Sequence, residues 1–187
     1  MERSDEELLS LYLRGDEQAF GELVKRHLTT VYSFVVRFVG DQHDAEDIVQ
    51  ETFLKAWKSA RSYKEEASKF KTWVLRIARN TAIDHLRKKK HVPFSAFDTE
   101  EGVNVLAETV PDSEELPDEK LDRTLNAETL NHAMQALAPE AREILLLHYT
   151  NGLTFLEIGE LLDQPQNTVK SRHHRAVLSL RKALSTQ

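Results

Sequence analysis

Apolar residues recur at steps of three and four along most of the chain, the spacing that places side chains on one face of an α-helix. In the N-terminal half this pattern predicts four helices. A capping box starting at Ser4 opens the first, Asp16 caps the second, Gly40 ends it, and Asp44 begins the third. The fourth helix begins near Ser68 and ends in a run of basic residues.

Helical spacing resumes in the C-terminal half near Asp118, and Pro139 is placed to open a further helix. Two more helices are predicted at about 154–162 and 167–184. The segment between the halves contains prolines and many acids but no lasting period, which is typical of a linker. We therefore predict an all-α fold with two small helical domains joined by an acidic flexible linker. The predicted boundaries are a first domain at 1–92, a linker at 93–120, and a second domain at 121–187.

The charges are strongly segregated, although the net charge of −6 does not suit a DNA-binding protein. Residues 69–90 carry eight Lys or Arg and one acid, and residues 166–182 carry five and none. Residues 91–119 hold nine carboxylates without a Lys or Arg. Salt screens charges beyond about 10 Å, so the local charge decides whether phosphates are bound. Two phosphate-binding segments are predicted, although basic residues at a helix C-terminus also suit its dipole.

The clearest local motif is a helix-turn-helix at about 154–182. Thr154 and Glu157 have the spacing of a capping box, and Gly159 supplies the small residue needed where two helices cross closely. Residues 163–166 form the turn, and 167–168 are predicted to cap the second helix. A helix of this size enters a major groove, where its basic and hydroxyl side chains contact base edges or phosphates. The alternative is a helical hairpin with a solvated basic face.

Several classes of protein and site are excluded by the sequence. There is no cysteine, so disulfides and thiolate metal sites are absent. His173 and His174 are adjacent and cannot share a helix face, which argues against a metal site there. No paired acids or glycine-rich phosphate loop suggests catalysis. With an acidic start and no long apolar run, the chain is predicted to be a soluble cytoplasmic protein without enzymatic activity, metal or other cofactor.

Two segments of the N-terminal half resemble bacterial RNA polymerase sigma factors of the extracytoplasmic-function (ECF) class, in the sigma-70 family. They read DAEDIVQETFLKAW at 44–57 and FKTWVLRIARNTAIDHLR at 70–87. The C-terminal motif, LTFLEIG at 153–159 and TVKSRHHRA at 168–176, is similar to the promoter-reading motif of the same family. The resemblance covers about residues 5–91 and 120–184. It implies a factor that binds core RNA polymerase and directs transcription initiation from −10 and −35 promoter elements.

The resemblance also implies residue roles. The residues implied to contact core polymerase are Asp47, Gln50 and Glu51, and the alternative is that they form only a solvated face of the helix. Asn80 is implied to read a base of the −10 element. Five basic residues are implied to hold the DNA backbone there: Lys69, Arg76, Arg79, Arg87 and Lys88. The residues implied to contact the −35 element are Thr168, Lys170, Ser171, Arg172, His174 and Arg175. Trp73 is interpreted as a core residue rather than a stacking platform for a base.

Two positions depart from the family pattern. Asn167 stands where relatives often have Gly, and Asn tolerates the left-handed conformation that such a turn can require. His174 stands where relatives vary, so a base preference does not carry over.

The resemblance further implies an anti-sigma factor as a partner, which in this class is often anchored in the membrane, while the chain itself has no direct membrane insertion. The acidic linker is hypothesised to imitate nucleic acid in the basic channel of the polymerase through Glu100, Glu101, Asp112, Glu114 and Glu115. One rival function is a conventional helix-turn-helix regulator that does not replace the sigma subunit, and another is an enzyme acting on nucleic acid.

Overall fold

A computed structural model describes residues 3–63, 68–90 and 127–185, and all regular structure in these ranges is helical. The N-terminal half, residues 3–90, contains α1 (Asp5–Leu13), α2 (Glu17–Val39), α3 (Gln42–Ser59), a 3-10 turn (Ala60–Ser62) and α4 (Phe70–Lys90). The C-terminal half, residues 127–185, contains α5 (Ala127–Gln135), α6 (Pro139–Leu145), a π-helical turn (Leu146–Thr150), α7 (Phe155–Leu162) and α8 (Gln166–Ser185). The all-α prediction is confirmed. The predicted linker and its five named acids lie outside the described residues, and the domain boundaries stay a prediction.

Local capping residues define the helix ends in the N-terminal half. Three of the predicted ends are confirmed, and one predicted start is wrong. Ser4 forms the predicted capping box, the side chain of Asp16 caps α2, and Gly40 ends α2 in the left-handed conformation at φ +79°. The prediction that Asp44 begins α3 is wrong. Asp41 is the cap, and its carboxylate accepts the backbone N–H of Asp44, which lies inside the first turn.

The core of the N-terminal half lies around α2, which contacts α1, α3 and α4. Phe34 and Phe38 stack at 5.6 Å between ring centroids and are fully buried. Asp5 ties α1 to α2, because its carboxylate pairs with the guanidinium of Arg26 at 2.6 Å and with the buried ring of His27 at 2.7 Å. This bundle presents one side of α4 to the C-terminal half.

The helix-turn-helix is present, but its turn differs from the prediction. Helix α8 already begins at Gln166, so Asn167 and Thr168 lie in its first turn instead of capping it. The left-handed residue of the turn is Asp163, at φ +56°, and it is the only non-glycine residue with a positive φ in the described part of the chain. An Asp tolerates this conformation because its short side chain bonds locally.

The two halves pack on each other through a shared apolar core. Leu147, Leu153 and Ile158 are buried in the same cluster as the core of the N-terminal half. Arg142 is also buried, and its guanidinium donates to the carbonyl of Phe38 in α2 at 2.6 Å. It also donates to carbonyl groups at the end of α5, those of Met134, Gln135 and Leu137. Arg142 therefore joins the C-terminal ends of α2 and α5, where unpaired carbonyls accumulate.

Gly159 is expected to be essential for the turn. A methyl group added there meets the backbone carbonyl oxygen of Gln164 at 2.7 Å. Gly159→Ala is therefore expected to lower stability, because overpacking costs about 1–3 kcal/mol and exceeds the gain of about 1 kcal/mol in helix propensity. The matched control is Gly21→Ala in α2, where nothing lies within 4 Å and the propensity gain stands alone. Thermal unfolding followed by circular dichroism checks both, and a melting temperature raised by Gly159→Ala contradicts the prediction.

Candidate polymerase and nucleic-acid interfaces

Helix α4 carries a polar stripe along one side. Lys69, at the start of the helix, and Arg76, Asn80 and Arg87 are separated by seven, four and seven residues, which brings them close to one line on a helix of 3.6 residues per turn. Arg79 flanks this stripe. The opposite side of α4 is apolar and buried, so these side chains cannot turn into the core of the N-terminal half.

The C-terminal half covers part of this stripe. Lys69 pairs with the carboxylate of Glu157 at 2.9 Å, although its side chain stays largely exposed. Arg76 donates to the backbone carbonyl of Glu160. Arg79 pairs with the buried carboxylate of Glu143. Three of the six residues predicted for the −10 element therefore contact α6 or α7.

The other three residues of the −10 set lie further along α4. Asn80 is exposed, and its carbonyl oxygen accepts from Arg79 at 3.3 Å. Arg87 lies 3.9 Å from the carboxylate of Asp84, and Lys88 is exposed. The prediction omitted Lys71, whose ammonium donates to the backbone carbonyl of Asn151 in the C-terminal half. Lys71 belongs to the basic segment 69–90, and this position in the sequence could have identified it.

Trp73 packs as its core interpretation expects. Its ring lies 5.1 Å from that of Tyr63 and 5.4 Å from that of Phe70, measured between centroids, and the side chain is half-buried.

Helix α8 presents its predicted −35 residues unevenly. Ser171, His174 and Arg175 are exposed, while the others, Thr168, Lys170 and Arg172, are half-buried. Val169 and Ala176 face the core. A mixed basic and hydroxyl surface thus follows one side of α8, away from the apolar contact with α6.

Helix α3 bears the predicted polymerase contact, and Asp47, Gln50 and Glu51 are all exposed on it. Lys55 pairs with Glu51 at 2.8 Å and lowers the pKa of that carboxyl, so it stays ionised.

Two large apolar side chains share this face of α3. Leu54 is 57% exposed and Trp57 is 47% exposed. Leu54, Trp57, Asp47 and Gln50 recur at steps of three and four, which puts them on one stripe. Trp57 follows the buried Ile48 by nine residues, about two and a half helical turns, so it points away from the buried face of α3.

Both halves match known families. The Sigma-70 region 2 family matches residues 23–92, and the Sigma-70 region 4 family matches residues 127–180. The chain is 36% identical over 175 residues to the ECF RNA polymerase sigma factor SigW of Bacillus subtilis, covering 91% of each chain. The chain belongs to the ECF RNA polymerase sigma factors. It is also 33% identical over 189 residues to the RNA polymerase sigma-H factor of Pseudomonas aeruginosa, covering 98% of this sigma factor and 95% of that one.

Solved structures share the fold of this sigma factor. The sigma factor RpoE from Bartonella quintana, solved in complex with the anti-sigma factor NepR, aligns with a TM-score of 0.66 at 24% identity, over 89% of this chain and 96% of that one. CnrH, solved in complex with the cytosolic domain of CnrY, aligns with a TM-score of 0.70 at 22% identity, over 99% of both.

The part of the chain that the structure describes has neither a membrane-spanning helix nor a metal site. Among its helices none is both long and apolar enough to cross a membrane. Within the same ranges no group of three His, Asp or Glu residues is arranged to hold a metal ion.

The ring of His173 lies on the inner side of α8 in this sigma factor. It packs at 5.0 Å from Phe155 and its Nε2 lies 3.1 Å from the hydroxyl of Tyr149. Burial lowers the pKa of His173 to about 4, and the neighbouring His148 and His174 contribute to the shift. His173 is therefore neutral at physiological pH and adds no charge to the basic face of α8.

This shift predicts a loss of stability in acid. Unfolded chains bind a proton on histidine below a pH of about 6.5, whereas folded His173 does so only near 4. The stabilisation is therefore complete above the unfolded pKa and is lost as the pH falls toward the folded one. His173→Gln removes the proton that the unfolded chain binds at this position in acid. The melting temperature of the variant is therefore expected to drop less than that of the wild type between about pH 7.5 and pH 5.

Gly21→Ala in α2, which adds and removes no titratable group, provides the control. It is expected to retain the wild-type dependence of the melting temperature on pH. An equal acid-induced drop in the wild type and in His173→Gln contradicts the prediction.

Proposed function

We propose that this sigma factor docks on core RNA polymerase through the exposed face of α3 and contacts the promoter through α4 and α8. The supporting observation is that one acidic and apolar face and two basic helices occur in a single chain, in the order of sigma-70 regions 2 and 4. A conventional helix-turn-helix regulator gives no role to the α3 face or to the stripe on α4. The proposed activity is initiation, with no catalytic step of its own.

The α3 face suits a basic protein partner. The carboxylates of Asp47 and Glu51 and the amide of Gln50 form charge-assisted hydrogen bonds with arginine, which are stronger than bonds between neutral groups. Leu54 and Trp57 add apolar area beside them, and buried aromatic anchors carry much of the affinity of protein interfaces. We propose that these five residues form one docking surface.

Charge reversal on α3 tests this surface. Asp47→Lys places a cation where a basic partner is expected, and affinity for core polymerase is predicted to fall by about tenfold to a hundredfold. Asp47 is exposed, so the melting temperature is expected to stay unchanged. Titration of fluorescently labelled protein with core polymerase measures the affinity.

Glu22→Lys, an equal change of charge at an exposed position of α2, is the matched control and is expected to bind normally. The α3 surface is rejected as the docking site if both variants bind core polymerase equally well.

We propose that α4 holds and reads the −10 element. Opened DNA exposes unstacked bases and phosphates. Proteins bind the bases in polar pockets and the phosphates with basic side chains. The exposed amide of Asn80 has the donor and acceptor groups needed to recognise a base edge. The cations on either side of it, Lys69, Arg76, Arg79, Arg87 and Lys88, would hold the backbone.

Run-off transcription with core polymerase, on the promoter of the protein's own operon, tests this division of roles. Asn80→Ala is expected to weaken promoter recognition by about 1–3 kcal/mol, which lowers the amount of transcript. It is also expected to relax the base preference at one position of the −10 element. Lys88→Ala is expected to reduce initiation evenly across promoter variants and to lower the salt slope of binding by about one. Lys25→Ala, an exposed cation on α2, is the control.

If Asn80→Ala and Lys88→Ala transcribe like the wild type, α4 does not have the proposed role. If instead Asn80→Ala weakens all promoter variants evenly, Asn80 is not the base-reading residue.

We propose that α8 enters the major groove of the −35 element. Its exposed residues, Ser171, His174 and Arg175, offer hydroxyl, imidazole and guanidinium groups of the kinds that contact base edges. Thr168 and Lys170 lie closest to the turn, where contacts with phosphates position a recognition helix, and we propose the half-buried Arg172 as a further phosphate contact.

We propose an anti-sigma factor as a regulatory partner, since RpoE and CnrH, which share this fold, were each solved with a bound partner. The sigma factor is proposed to act in the cytoplasm, where RNA polymerase lies, and a membrane-anchored anti-sigma factor would hold it at the membrane.

A further inference from the structure

The last two turns of α4 extend beyond the buried core of the N-terminal half. Among residues 70–89, Ile83 is the last buried one, although the half-buried Leu86 still packs against the core. The final carbonyl groups of a helix have no partner within it, and helix ends fray. This end of α4 carries Arg87 and Lys88, which are proposed to hold the DNA backbone. The placement of both side chains therefore depends on what holds the end of α4.

The same end of α4 is crowded with positive charge. Residues 87–90 read Arg-Lys-Lys-Lys, and like charges within one helical turn repel each other. Arg87 lies 3.9 Å from the carboxylate of Asp84 on the same helix, but both side chains are exposed and such pairs contribute little. An acid on a neighbouring helix can offset the repulsion and also fix the end of α4 in space.

Asp44, in the first turn of α3, supplies that acid. One of its carboxylate oxygens lies 2.7 Å from the ammonium of Lys89, and the other lies 3.2 Å from Nε2 of His85. The side chain of Asp44 is only 17% exposed, so water screens the contact less than it screens an open surface pair. The hydrogen bond between Asp44 and Lys89 is the main cause that lowers the pKa of the acid and raises the pKa of the base. Both groups therefore stay ionised.

The two helices meet here with opposite ends. Helix α3 begins and α4 ends at this contact, so an acid at the start of one faces a base at the end of the other. Each charge suits the dipole of its own helix. A second polar tie lies further along α3, where the ammonium of Lys55 donates to the buried hydroxyl of Thr81 at 3.1 Å. Together the two ties fix both the direction and the rotation of α4 against α3.

We propose that Asp44 is a positioning residue for binding of the −10 element. By holding His85 and Lys89, it fixes the last turns of α4 so that the exposed ammonium of Lys88 faces the DNA backbone. Consecutive residues point about 100° apart around a helix, so the anchored position of Lys89 determines the direction of Lys88. This inference rests on the proposed DNA-binding role of α4.

Asp44→Asn separates positioning from simple electrostatics, because the two predict opposite signs. The substitution keeps the shape of the side chain and removes a negative charge near the proposed DNA site, which by itself favours DNA binding. Loss of positioning instead lowers the affinity for promoter DNA by about threefold to tenfold, the scale of one hydrogen bond. The matched control is Glu46→Gln, which removes the same charge from an exposed position of α3 and is expected not to weaken DNA binding.

The measurement uses holoenzyme in which core polymerase is saturated with each variant. A separate titration of each labelled variant with core polymerase establishes the saturating concentration, so a change in docking does not enter the affinity for DNA. The probe is a fluorescent duplex that contains the promoter of the protein's own operon. Circular dichroism verifies that each variant is folded.

Asp44→Glu tests whether the carboxylate itself is required. It keeps the negative charge within reach of Lys89, and a Glu also suits the first turn of a helix. The backbone N–H of Asp44, which donates to Asp41, is retained in both variants, so capping of α3 does not distinguish them. Asp44→Glu is therefore expected to bind promoter DNA nearly as tightly as the wild type, and a loss as large as that of Asp44→Asn overturns the proposal.

A double-mutant cycle with Lys88→Ala identifies the residue through which Asp44 acts. If Asp44 places Lys88, the Asp44→Asn/Lys88→Ala variant binds DNA no more weakly than Lys88→Ala alone. Losses that add in full overturn the proposal, and so does an equal loss in Glu46→Gln.

The single variants separate this proposal from the role of α4 on which it rests. If Lys88→Ala weakens DNA binding and Asp44→Asn does not, only the positioning role is rejected. If Lys88→Ala binds promoter DNA like the wild type, the proposed contact between Lys88 and the backbone is rejected, and the positioning role is rejected with it.

Discussion

The arrangement of the two halves depends on the hydrogen bonds that the guanidinium of Arg142 donates to backbone carbonyls. This group bridges the C-terminal ends of α2 and α5, where carbonyls have no partner within their own helix. Hydrogen bonds from a charged donor contribute about 1.5–3 kcal/mol each. The exposed pair between Lys69 and Glu157 adds little by comparison, because water and salt screen it. Once Arg142 sets the position of α6, α7 lies over α4 and the remaining contacts follow.

Charge segregation lets an acidic protein present basic surfaces. The acids of α3 and the cations of α4 lie on different helices of one bundle, and most of their mutual attraction is screened beyond about 10 Å. Asp44 makes a direct contact with α4, because its carboxylate lies 2.7 Å from the ammonium of Lys89 and 3.2 Å from the ring of His85, and Lys89 lowers the pKa of Asp44. This contact fixes the end of α4 to the start of α3, next to the proposed polymerase-docking face.

Local features of the fold were predictable from the sequence, and long-range ones were not. The capping boxes at Ser4 and Thr154 and the need for Gly159 depend on residues a few positions away. The errors at Asp44 and Asn167 moved a helix start by two residues or fewer, since several neighbouring polar residues can serve as caps. Pairing across the halves has no such signature, because Arg79 and Glu143 are 64 residues apart. Nothing in the periodicity of either helix marks them as partners.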